Sequence, residues 1–357
     1  LEKTAALKGS KNVESANPLL KKIRAKKSTP NDPLYLFSNT NSGYLWHLNN
    51  TGENNGTAGI DINVSNVWDS YTGVGVTVGI IDDGLQTDHP DLIANVNTTI
   101  DFNWNNGDPD DPSPNSGDTH GTPCAGVTAA KGNNNIGGSG AAPDATLVGL
   151  RLIAGGVNDS DEAEAMSHES GLIQVKSNSW GPSDGQGTLD DAGSLTKAAF
   201  IHTITNGRGG LGTIHLWAAG NGGDSDDVNY DGFANSIYTI AIGAIDDQGN
   251  RSDYSEPGAA KLVSAPSDGG SQGITTTQIN STYTYSFGGT SSATPLAAGV
   301  AALMLDANPN LGWRDVQEIL IRSARQINPA DGSWVLNSAN IPFSHEYGAG
   351  LIDAELA

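Results

Sequence analysis

Three side chains from distant segments have the types needed to attack a carbonyl carbon and break the acyl bond to its leaving group. Asp82 closes a β-branched run, His120 opens a stretch of small residues at helical spacing, and Ser291 sits where "GGTSSATPLAAGVAALM" (288–304) turns from glycine-rich to apolar. A serine hydroxyl attacks only when a base takes its proton, and an imidazole base needs an acid to fix its tautomer and stabilise its charge. The order Asp, His, Ser is one of the known arrangements of such a triad. A helix start suits the nucleophile, because its unpaired N–H groups and dipole favour the oxyanion formed there. Asn221, between glycines in "AAGNGG", offers a second oxyanion donor.

The elements that must hold these groups read as alternating strands and helices. Strands are expected over 75–82, 145–153, 175–181, 213–221 and 236–246. Helices are expected over 120–131, 160–171 with Ser160 as N-cap, 190–207, 294–309 and 312–327. That alternation predicts an α/β, three-layer fold with a central, mostly parallel sheet and helices on both faces. Ligands in such sheets gather at the carboxyl ends of strands, where Asp82 and Asn221 both stand.

Charge narrows the partners. The chain of 357 residues has a net charge of −22. Eight of its 18 Lys/Arg lie in residues 1–30 (Lys3, Lys8, Lys11, Lys21, Lys22, Arg24, Lys26, Lys27), against only Glu2 and Glu14. The body therefore sets 10 basic residues against 38 acidic ones, which repels nucleic acid and attracts cations and basic peptides. Residues 1–31 read as a basic tail, with the turn-rich "STPNDP" (28–33) across the boundary, and 32–357 as one catalytic domain. No run is apolar and long enough for a membrane span. Cys124 is the single cysteine, so no internal disulfide forms.

The blocks "VGIIDDGLQTDHPDL", "DTHGTPCAGVTAA", "AAGNGG" and "GGTSSATPLAAGVAAL" resemble, in order, the four signature segments of the subtilisin superfamily. "SNSWGPSDG" (177–185), "NYDGFANSIYTIAIGA" (229–244), "YSEPGAAKL" (254–262), "NPNLGWRDVQEIL" (308–320) and "SHEYGAGLIDA" (344–354) are similar to the kexin/furin branch. The resemblance spans about 32–354 and suggests a bacterial member. It implies a serine endopeptidase with Ser291 as nucleophile, His120 as general base, Asp82 as its orienter, and Asn221 with the Ser291 N–H as oxyanion hole. Cys124 matches a family cysteine and is expected to be a packed, unreactive thiol.

The resemblance also implies cleavage after basic residues, whose desolvated charge demands carboxylates. Asp184 and Asp231 match the acids of the first pocket, Asp83 that of the next, and Glu164 and Asp190 acids further out. All five are acidic here. Two departures are visible: Gly117 stands where the family has an acid, with Asp118 one residue closer to His120, and the loop from Asn221 to Asp231 is one residue short.

Oxygen-rich loops suit hard cations. The family pattern implies one Ca2+ on Asp32, Asp91, Asn134 and the carbonyls of Lys131, Ile136 and Gly138. A second would use Asp184, Asp226 and Glu256, with Asp227 competing with Asp226. The basic tail is expected to carry a maturation or inhibitory sequence that docks in the acidic cleft, unless it is a plain solvated linker. The resulting expectation is a monomeric, calcium-dependent, extracytoplasmic (secreted or periplasmic) endopeptidase acting on basic peptides or proteins, ending without the β-sandwich domain that usually follows. The alternative is a catalytically inactive protein of the same fold that binds calcium and basic peptides. An esterase of the α/β-hydrolase kind is disfavoured, because no candidate serine stands in a Gly-x-Ser-x-Gly elbow.

Overall fold

Short runs of Val, Ile, Leu and Ala, each too apolar to face water on either side, become the strands of one parallel sheet. The computed structural model describes residues 29–36, 44–105 and 107–357; the basic tail's lysines and Arg24 lie outside the described residues. A single helical turn α1 (Pro33–Leu36) is followed by β1 (Thr77–Asp82), β2 (Phe102–Asn103), α2 (Gly121–Ala129), β3 (Thr146–Arg151), α3 (Asp159–Ser167) and β4 (Val175–Asn178). Then come α4 (Ser194–Asn206), β5 (Ile214–Ala218), β6 (Thr239–Ile245), β7 (Lys261–Pro266), a hairpin of β8 (Ile274–Gln278) and β9 (Thr282–Phe287), α5 (Thr290–Ala307) and α6 (Trp313–Ser323).

The sheet order is β2-β3-β1-β4-β5-β6-β7, every neighbour parallel. Its two faces bury separate cores. Val78 and Ile80 of β1 pack in the core shared with α2, α5 and α6, while Ile81 joins that of α3 and α4. The expected three-layer α/β architecture is what the chain adopts. The order reverses at β1, which pairs β3 on one side and β4 on the other, and Asp82 closes β1 at that switch point. No helix among the described residues is long and apolar enough to cross a membrane.

Element ends differ from expectation for local reasons. Ser160 is not the cap of α3. Asn158 is: its side chain accepts from the N–H groups of Ser160 and Asp161, and the Asp161 carboxylate returns a bond to the Asn158 N–H. Helix α4 starts at Ser194, because Asp190 is already engaged in a parallel bridge to Asp231. Helix α5 starts at Thr290, four residues early, because Gly289 takes φ +72°, a left-handed value that glycine adopts without strain. The hairpin β8–β9 was not legible in its sequence, since Thr and Tyr in "TYTYSF" form a half-exposed ribbon rather than an apolar run. Lys176 of β4 is fully buried, yet its Nζ donates to the carbonyls of Ala165, Met166 and His168, each at 2.8 Å. It thereby serves the unpaired carbonyls at the end of α3.

Candidate active site

Asp82 at the end of β1 lies 2.8 Å through Oδ1 from His120 Nδ1. The carboxylate is buried, whereas the imidazole side chain keeps 32% of its surface exposed. That asymmetry suits a fixed acid and a base that must meet substrate. Burial alone would lower the His120 pKa, but the adjacent Asp82 charge outweighs it and holds the pKa well above the ordinary histidine value.

Ser291 is reached through Cys124, one helical turn beyond His120. The Cys124 thiol lies 3.9 Å from His120 Nδ1 and 3.6 Å from the Ser291 carbonyl oxygen. Burial pushes that thiol up to about 11, so it is the inert packed group expected. Pro295 has no N–H to bond the Ser291 carbonyl four residues back. That carbonyl instead accepts from Ser179 Oγ at 3.0 Å and from Cys124. The Ser291 hydroxyl in turn donates to the Ser179 carbonyl oxygen at 3.3 Å. Asp82 and His120 are thus already joined, while the serine hydroxyl is hydrogen-bonded to Ser179.

Asn221 stands beyond β5. Its Oδ1 accepts from the Thr290 N–H at 2.8 Å and the Thr290 hydroxyl at 3.0 Å, which leaves its –NH2 end to donate elsewhere. Asn221, Thr290 and Ser291 form one rim of a cavity of about 200 Å³. Asp184, Asp226, Asp227, Asp231 and Glu256 line its other walls. Among the described residues no Lys or Arg lines that cavity, so none of them opposes an entering cation. Asp231 is 9% exposed, its Oδ1 accepting from the N–H groups of Phe233 (2.7 Å) and Ala234 (3.0 Å). Burial, with the charges of Asp190 and Asp184, pushes it up to about 6. Beneath it, Trp217 stacks on Phe233 at 5.0 Å, and Trp180 meets both edge-on.

The subtilase family profile matches residues 73–350. The chain belongs to the subtilase family. It is 42% identical over 327 residues to furin-like protease 1 of Drosophila melanogaster, covering 89% of this chain and 29% of that one. It is 39% identical over 336 residues to human neuroendocrine convertase 2, covering 91% of this chain and 51% of the relative. Among solved structures, the serine protease of Aeromonas sobria superposes with a TM-score of 0.81 at 26% identity, covering 92% of this chain and 67% of that one. This subtilase thus spans under a third of the first of those curated relatives and about half of the second.

Other expected subsite acids of this subtilase are differently engaged. Asp83 accepts from the N–H groups of His120 (3.0 Å) and Gly121 (2.7 Å), at the start of α2. Burial, aided by the Asp82 charge, pushes it up to about 6. Glu164 is exposed on α3, receiving the Trp104 Nε1–H at 3.4 Å, and Asp190 is exposed beside Asp231. Asp118 pairs with the buried Arg151 at 2.7 Å, so it is committed to that guanidinium.

Two carboxylate clusters match the expected cation sites, and the second of them lines the cavity beside Ser291. Asp32 and Asp91 are both wholly buried. Asp32 accepts from the N–H groups of Asn133, Asn134 and Asn135; Asp91 accepts from the Asn134 amide (2.7 Å) and the Gly138 N–H (3.0 Å). Burial, with Asp32 adding repulsion, pushes Asp91 up to about 6. In the second cluster burial, then the Asp226 and Asp184 charges, pushes Glu256 up to about 8.

Sequence reasoning missed Thr290, which orients Asn221, Ser179, which holds Ser291, and Phe287, whose ring meets the His120 imidazole edge-on at 5.5 Å. Only the hydroxyls flanking the two motifs hinted at the first two.

Proposed function

We propose that this subtilase domain is a calcium-dependent serine endopeptidase that hydrolyses peptide bonds after arginine or lysine, with a preference for dibasic sites. Ser291 attacks the scissile carbonyl, His120 takes the hydroxyl proton and returns it to the leaving amine, and Asp82 holds the imidazole and stabilises its charge. The Asn221 –NH2 and the Ser291 N–H receive the oxyanion. The observation that carries the reading is the cavity running from Ser291 and Asn221 to a wall of five carboxylates, with no opposing Lys or Arg among the described residues. Asp184 and Asp231 meet the basic side chain in this reading, with Asp83, Glu164 and Asp190 serving residues upstream.

The two clusters support calcium. Two wholly buried carboxylates with an amide between them, Asp32, Asn134 and Asp91, repel one another unless a hard cation joins them, and the carbonyls of Lys131, Ile136 and Gly138 complete an oxygen set. Asp184, Asp226 and Glu256 form the second set, and the Asp184 carboxylate also accepts from the Asn221 N–H at 2.9 Å. Calcium bound there supplies charge neutralisation and rigidity, not a reacting group. The proposed site of action is extracytoplasmic, and the proposed substrates are basic peptides or proteins, the chain's own Lys/Arg-rich segment among them.

A panel of fluorogenic peptides varied at the last two residues before the cut, in calcium and in chelator, tests this. The expected outcome is turnover confined to Arg or Lys at the last position and lost in chelator. Equal turnover of leucine peptides, or activity indifferent to chelation, contradicts it.

A further inference from the structure

The turn that delivers Ser291 is gripped from below by groups that the triad and the subsites do not use. Asp268 follows β7, and its carboxylate lies against Gly288 so closely that a Cβ there would meet it at 2.1 Å. Its Oδ1 accepts the Gly289 N–H at 3.0 Å and the Tyr254 hydroxyl at 2.5 Å. Ser267 donates its hydroxyl to the Gly289 carbonyl oxygen at 2.7 Å, and Ser292 Oγ lies 2.7 Å from Ser267 Oγ. Ser267 and Ser292 are both fully buried. With one proton per hydroxyl, Tyr254 donates to Asp268, Ser267 to Gly289 and Ser292 to Ser267, and the Tyr254 and Ser267 oxygens pack 2.8 Å apart beside these bonds.

The geometry points to a positioning clamp: Asp268, braced by Tyr254, with Ser267 and Ser292, fixes both ends of the Gly289 peptide and so sets where Ser291 and the oxyanion donors stand. The argument is one of rigidity. Gly288 and Gly289 are the most permissive residues available, and Gly289 sits at φ +72°; a glycine pair at the start of α5 has no side chain of its own to define its path. Three external bonds define it instead. Asp268 takes the Gly289 N–H, Ser267 takes the Gly289 carbonyl, and Asn221 takes the Thr290 N–H. A charge-assisted bond from a carboxylate is the stronger kind for such a task. The second serine of the Ser291–Ser292 pair thereby has its own role, as a buried brace beside the nucleophile. Tyr254 belongs to the same short segment as Glu256, so the brace and the second carboxylate cluster share one stretch of chain.

The inference deepens the proposed function and rests on it, so its test has an arm independent of turnover. In a Ser291→Ala background, amide hydrogen exchange is compared with and without Asp268→Asn and Tyr254→Phe. The clamp predicts exchange at Gly289 and Thr290 faster by about tenfold or more, with the β1, β4 and β5 amides unchanged. Unchanged exchange at the turn overturns it. In the active chain, the same two substitutions are expected to lower kcat and the rate of fluorophosphonate labelling by about tenfold while KM stays within about twofold, because misplacement costs the chemical step. Asp268→Asn combined with Tyr254→Phe is expected to cost little more than either alone, since both release the same turn. A loosened turn with full kcat, or a loss that follows only the unfolded fraction in a melting curve, overturns the positioning role. Failure of the parent chain to be labelled at Ser291 would sink the proposed function instead, while the exchange arm still decides whether the clamp holds the turn.

Discussion

Thr290 gives both its N–H and its hydroxyl to the same atom, Asn221 Oδ1, at 2.8 and 3.0 Å. The amide is thereby oriented by the residue next to Ser291, and its –NH2 end is the one left to meet an oxyanion in the proposed reaction.

Asn221→Ala is therefore expected to lower kcat by about 10²–10³ with little change in KM, the loss typical of one oxyanion donor. Thr290→Val, which keeps the N–H bond and removes the hydroxyl, is expected to cost about tenfold by loosening the amide. Steady-state kinetics on one arginine peptide checks both, and a KM-only effect would contradict the assignment.

The pH profile follows from the His120–Asp82 pair. The base works only when neutral, and the Asp82 charge raises the pKa of His120 well above its ordinary value of 6.5. Activity is expected to rise with pH through that raised pKa, so the acid limb of kcat/KM lies above 6.5. Asp82→Asn removes the charge that stabilises the imidazolium. The limb should move to lower pH while kcat falls by about 10⁴.

Asp231 makes substrate binding depend on pH in its own way. Its carboxyl is raised to about 6 in the free protein by burial, then by Asp190 and Asp184. It must ionise to hold a guanidinium, so KM for arginine peptides is expected to rise as pH falls through about 6. Asp231→Asn should weaken kcat/KM for such peptides by about 10² and abolish that KM dependence, since a buried charge pair loses one partner.

How much of this was legible in the sequence depends on how far each role is local. Asp82, His120, Asn221 and Ser291 could be read because each stands at or just past the end of a strand or at the start of a helix, and the wording around each marks that junction. Asp83 was readable as an acid near the cleft. Its bonds to the His120 and Gly121 N–H groups were not, because they depend on where β1 ends relative to the start of α2. The cap of α3 was misread since "NDSDE" offers several capping oxygens, and only the backbone path picks Asn158 over Ser160. Ser179 and Asp268 escaped notice because each meets the nucleophile's turn from a segment distant in sequence.

Cation removal has a signed consequence for Asp91. In chelator its raised pKa of about 6, against 3.8 for an ordinary aspartate, means that its ionisation costs stability from pH 4 upward until fully felt above 6. Asp91→Asn is accordingly expected to melt at the same or a higher temperature than the parent in chelator at pH 7, and lower than the parent in calcium. Calorimetry in both media reads the crossing, and its absence would argue against a cation between Asp32 and Asp91.

The most direct measurement is mass-spectrometric mapping after reaction with a peptidyl phosphonate ester carrying arginine at the position before the reactive phosphorus, beside its leucine counterpart. The account predicts a single adduct on Ser291, formed far faster with the arginine reagent and lost in His120→Ala. An adduct on another residue, or equal rates for arginine and leucine, would contradict it.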